Sequence, residues 1–146
     1  LTSKKERRAE NLQLLEEALD ITTTTVHEHY TRMPSELSYF NELYAKAVRR
    51  FLQSKVRYEQ ARAAAYLNIR QEHEEAGQKI TEAKLSNLVE IDEEVMQLRL
   101  ILAEAESGKQ EARGRCEALH AKKEMLISLG AHLRAEMSDP TLTMNN

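Results

Sequence analysis

Apolar residues recur along this chain at steps of three and four, the spacing of one helix face. Leu12, Leu15 and Leu19 predict an amphipathic helix over residues 4–20, opened by the capping-box pair Ser3 and Glu6. The run ITTTTV, Ile21–Val26, interrupts it, because consecutive β-branched threonines fit a helix poorly. Thr25 and Glu28 cap a further turn. Pro34 and Ser35 then mark the next start, since proline at the first helical position gives up an N–H that has no partner there.

A long helix is predicted over 35–76. Tyr44, Phe51, Tyr58 and Ala65 recur every seven residues, and Phe40, Ala47, Ser54 and Ala61 fill the companion row. Gly77 stops this helix and Thr81 caps the next. From Leu88 to Leu133 the steps of three and four continue without a slip, and only Lys109, Lys123 and Gly130 break the apolar row. Ser107 and Gly108 predict a break there, separating a helix over 81–107 from a C-terminal helix over 108–137. The end, SDPTLTMNN (138–146), is predicted to be disordered. The fold class is therefore all-α. A long antiparallel helical hairpin, coiled-coil-like, carries a short N-terminal helix and a C-terminal oligomerisation helix, in one helical domain over 1–137.

Composition sharpens this picture. The 146 residues are 41% hydrophobic and 31% charged, with four Gly and two Pro, which favours long helices with narrow seams over a thick core. Further helices are then expected from other copies of the chain. The C-terminal helix is the predicted oligomerisation element, through Cys116, Leu119, Leu126, Leu129, Gly130 and Leu133. Gly130 would permit close backbone approach, and Lys123 would lay its stem along the seam with its charge at the rim. The lone Cys116 has no partner for an internal disulfide and suits a reducing compartment. No apolar run approaches the roughly 18 residues that span a bilayer. The charged start LTSKKERRAE has no secretory h-region, and a cytoplasmic location is expected.

Charge is unevenly distributed. Residues 46–70 hold seven basic side chains against Glu59 alone, a net +6, whereas 71–106 hold ten acids against three bases, a net −7. All seven aromatic residues lie between Tyr30 and Tyr66. Part of the basic set can pair across the hairpin with Asp92, Glu94 and Glu106, while the remainder forms an exposed stripe. Such a stripe suits a polyphosphate, because each neutralised phosphate releases counterions. The candidate nucleic-acid-binding residues are Arg49, Arg50, Lys55, Arg57 and Arg62, with Tyr66, just off the seam, as the stacking residue. Tyr44, Phe51 and Tyr58 read instead as core.

Other chemistry is set aside. His27, His29, Cys116 and His120 make a weak set of zinc ligands, and no metal or other cofactor is expected. A Cys–His nucleophile lacks any oxyanion loop, no glycine-rich phosphate loop is present, and no catalytic residue is assigned. The cluster KKERR, Lys4–Arg8, reads as a solvated helix start or as an arm for phosphate or an acidic partner.

The order of elements resembles the UvsY-type recombination mediators of tailed phages. The likeness rests on KITEAKLSNLVEIDEEV (Lys79–Val95) and RCEALHAKKEMLISLGAHLRAEM (Arg115–Met137). Where that family carries a Lys-Ala-Arg element, this chain has Gln60-Ala61-Arg62, so only Arg62 carries over. The resemblance implies a non-enzymatic mediator in the host cytoplasm that binds single-stranded DNA as a homo-oligomeric ring, a heptamer if the family number applies. It also implies a RecA-like recombinase, loaded onto strands covered by single-strand-binding protein, as partner. The competing reading is a structural coiled-coil assembly or adaptor protein with no nucleic-acid role, marked by neutralisation of the basic helix within the chain.

Overall fold

The computed structural model describes residues 4–22 and 24–138. They form four helices: α1 (Lys4–Leu19), α2 (Val26–Glu75), α3 (Glu82–Glu90) and α4 (Glu93–Ser138). Ser3 and residues 139–146 lie outside the described residues, and with them the N-terminal capping box and most of the predicted tail. The cluster Lys4–Arg8 opens α1 as helix.

Two boundaries differ from expectation. Helix α2 begins at Val26 and runs through Pro34. Proline removes the N–H that would bond the Tyr30 carbonyl, yet Met33 and Phe40 are buried on either side of it. That burial, with Val26 and Met33 packed against Leu126, outweighs the lost bond. The second correction concerns Gly108, which lies in the interior of α4 with open space around it. The chain breaks instead at Ile91–Asp92. Ile91 is the C-cap of α3 and is 68% exposed. The Asp92 carboxylate accepts the Val95 N–H at 3.1 Å and starts α4 as its N-cap. An unbroken apolar row hid this boundary, because Ile91 keeps the three-four count while its side chain points to solvent.

The turn between α2 and α3 follows from glycine. Gly77 has φ +68° and lets its own N–H and that of Gln78 reach the Glu74 and His73 carbonyls, at 3.0 and 2.9 Å. The Thr81 hydroxyl then accepts the Lys84 N–H.

The chain divides into two compact units, Leu1–Leu43 with Arg113–Asn146, and Tyr44–Ala112. In the first, α1, the start of α2 and the second half of α4 surround Ala18, Val26, Met33, Phe40, Leu119 and Leu126. The buried His29 donates its Nε2–H to the Asp20 carbonyl at 2.7 Å and ties down the connection after α1. In the second unit, the end of α2, α3 and the start of α4 close over Ala65, Leu85, Val89 and Val95, with Tyr58, Ala61 and Ile69 packed alongside. Within each unit α2 and α4 run antiparallel, as the pairs Glu36–Lys122 and Phe40–Cys116, and Phe51–Lys109 and Tyr58–Arg99, require.

Candidate charged and aromatic site

In the second unit, several side chains of α2 meet partners from α3 and α4. The Lys109 ammonium lies 3.7 Å from the centre of the Phe51 ring, and the Arg99 guanidinium lies 5.9 Å from that of Tyr58. Both rings sit on the seam of α2, so their faces are taken by cations of α4. Arg62 reaches Glu90 at 3.2 Å, and Glu90 also holds Arg99. The Tyr66 hydroxyl donates to the Glu82 carboxylate at 3.0 Å, which fixes the ring against α3. Lys55 lies 3.9 Å from Glu59, one turn away on its own helix. Arg70 donates to Glu74 at 3.0 Å, and that bond holds its proton more firmly still.

Arg49, Arg50 and Arg57 are exposed and have no ion-pair partner among the described residues. Tyr66 is half-buried, with its hydroxyl held by Glu82 of α3. The six expected nucleic-acid residues therefore divide. Three are free cations on the outer sides of α2, and Lys55, Arg62 and Tyr66 are engaged within the chain.

Four of the predicted oligomerisation residues are buried inside the first unit. Leu119, Leu126 and Cys116 are buried, and the Cys116 thiol donates to the Phe40 carbonyl at 3.3 Å. Gly130 is also buried, because the Tyr30 hydroxyl occupies the space above it and donates to the Leu126 carbonyl. Leu129 and Leu133 are half-buried. The start of α2 packs against Leu126 and Leu129 within this unit. Burial pushes the Cys116 thiol up from its ordinary range, with the Glu117 charge adding to the shift.

The residue that sequence reasoning missed is Lys122. Its side chain is fully buried, with Nζ 2.7 Å from Glu36 Oε2, whereas Lys123 is exposed. Both lysines lie three or four residues from Leu119 and Leu126, so the spacing alone does not choose between them. Glu36 across the interface is the deciding signal. Among the described residues no group of three or more His, Cys, Asp or Glu side chains gathers to hold a metal ion, and no helix is long and apolar enough to cross a membrane.

These features define an all-α helical-bundle protein whose basic, aromatic seam is closed largely by its own acidic helices. No family model, curated protein or solved structure matches the chain. With no match to support it, the description as a phage recombination mediator, with roles in DNA recombination, repair and replication through single-stranded DNA, is withdrawn.

Proposed function

We propose that the chain is a structural, coiled-coil-like assembly or adaptor module that works through helix faces and has no nucleic-acid role. One observation carries the reading: Lys109 and Arg99 cover the Phe51 and Tyr58 rings. A base-stacking platform needs open aromatic faces beside its cations. Here the faces are filled, and Glu90 and Glu82 hold Arg62 and Tyr66. Of the cations in residues 46–70, Arg62 pairs with Glu90 and Arg70 with Glu74, both within the net −7 stretch that follows in sequence.

Fluorescence anisotropy of a labelled oligo-dT, titrated across salt concentrations, tests this. The expected result is no saturable binding at physiological ionic strength. Tight binding whose log K falls steeply with log salt would overturn the reading.

A further inference from the structure

Helix α3 buries one apolar row and carries a second. Leu85 and Val89, one turn apart, are buried, and Val89 packs with Ala65 and Val95. Leu88 and Ile91 form the other row, Leu88 half-buried and Ile91 68% exposed. In an unbroken helix, at about 100° per residue, Leu88 and Ile91 would lie within about 40° of the buried Val95. Leu85 and Val89 would lie about 80° and 120° from it. The break at Ile91–Asp92 therefore turns α3 about its own axis, so that Leu85 and Val89 meet α2 in place of Leu88 and Ile91.

Little in the backbone enforces that break. Residues 82–98 contain no Gly or Pro. Ile91 has φ −99° and ψ 1°, beside the helical region, and its N–H still bonds the Asn87 carbonyl, at 3.3 Å. The Asp92 carboxylate takes the Val95 N–H that a continuous helix would give to the Ile91 carbonyl. Side chains supply the remaining hold. Glu90 binds Arg62 of α2 and Arg99 of α4, and Glu82 accepts from the Tyr66 hydroxyl. An open groove of ≈ 720 Å³ between α2 and α3, lined by Ala63, Leu67, Ser86 and Val89, leaves α3 room to turn.

We infer that α3 is a two-position element, which rolls about its axis and joins α4 as one continuous helix. In the second position Leu88 and Ile91 take the places of Leu85 and Val89 against α2. The exchange trades a Leu and a Val for a Leu and an Ile, so apolar burial hardly chooses between the two. The choice falls to the polar anchors of the bent form, the Glu90 pairs and the Asp92 cap. Arg62 and Arg99 are about half exposed, so salt weakens their hold on Glu90. The straight form covers Ile91 and returns the Val95 N–H to the backbone ladder. Ionic strength therefore moves α3 toward the straight position.

The test reads both faces of α3 in the full chain by thiol labelling. One chain carries Val89→Cys and a second carries Ile91→Cys, while the buried Cys116 serves as the slow internal control. Maleimide labelling is scored at each site by peptide mass spectrometry. At low salt the Ile91→Cys chain should label at its new thiol at least about tenfold faster than the Val89→Cys chain. Adding Glu90→Gln with Asp92→Ala should slow the first rate and raise the second, each by about tenfold, with no loss of helix by circular dichroism. About 1 M NaCl, without those two substitutions, should move both rates in the same directions by a smaller factor. Slower labelling at position 91 is the decisive sign, because fraying of α3 would speed both sites. Two rising rates would mean that α3 only frays, and two unchanged rates that Leu85 and Val89 fix the bend. Either result overturns the inference. If Glu90→Gln with Asp92→Ala unfolds the chain, the salt series decides on the same two signs.

Discussion

The two units bury opposite things. The first, around Phe40 and Leu119, takes polar groups inside: the Lys122–Glu36 pair, the Cys116 thiol and the Tyr30 hydroxyl over Gly130. The second, around Ala65 and Val95, leaves its charges in water. The same two helices contribute to both, so the contrast does not come from helix type. It comes from which residues occupy the inner rows. Where large apolar side chains flank a lysine, the lysine must find a carboxylate. Where the inner row is alanine-rich, as at Ala61 and Ala65, the helices need little more than close approach.

The largest effect expected from this contrast is at Glu36. Glu36→Ala strands the Lys122 ammonium in the interior and should cost about 3–5 kcal/mol in urea unfolding. Replacing both partners, Glu36→Leu with Lys122→Met, should recover most of that loss. A single substitution with no measurable cost would show that water reaches the pair, and the contrast between the units would collapse.

Next comes Gly130→Ala. The new Cβ would overlap the Tyr30 hydroxyl oxygen, so the ring must move and give up its bond to the Leu126 carbonyl. The expected loss is about 1–3 kcal/mol, less the gain of alanine over glycine in a helix. Tyr30→Phe in the same chain should make the alanine cheaper, a coupling that a double-mutant cycle measures. Additive effects would mean that the hydroxyl does not set the approach.

In the second unit the matching substitution is mild. Glu90→Gln removes the partner of both Arg62 and Arg99, but these side chains are about half exposed. A loss of roughly 1 kcal/mol or less is expected, shrinking further in high salt. A cost as large as that at Glu36 would mean that the surface pairs carry this unit after all.

The smallest effect is a pH dependence from Cys116. Its folded-state pKa is raised above the ordinary value of about 9.0, so the folded chain holds the proton more tightly than the unfolded chain. That contribution is fully present below pH ~9 and is lost as pH rises through the folded-state value. Stability compared at about pH 7 and pH 10 should fall more in wild type than in Cys116→Ala. Equal falls would mean that the thiol does not sense its burial.

How much of this was legible in the sequence follows the same division. The seam of Tyr44, Phe51, Tyr58 and Ala65, the Gly77 stop and the Thr81 cap could be read directly, because each depends on local spacing or on one backbone angle. Tertiary packing decided the rest. Pro34 reads as a helix start until Met33 and Phe40 are seen buried around it. Ile91 keeps the three-four count, so only the Asp92 cap reveals the break. The partner surfaces of Cys116 and Leu126 lie more than seventy residues away in sequence, on the start of α2, and spacing within one helix cannot reveal what covers it. The same limit applied to the charges: the +6 and −7 were visible, but which cations sit over Phe51 and Tyr58 was not.

The buried lysine also acts as a detent for sliding. Helices packed along their length can slip by a turn, about 5.4 Å, while keeping apolar rows in register. If α4 moved one turn along α2, Lys122 would leave Glu36 and face Met33 or Phe40 on one row, or Arg32 on the next. Each alternative leaves a desolvated ammonium beside a thioether, a ring or a like charge, so an apolar seam that would tolerate several alignments is held to one.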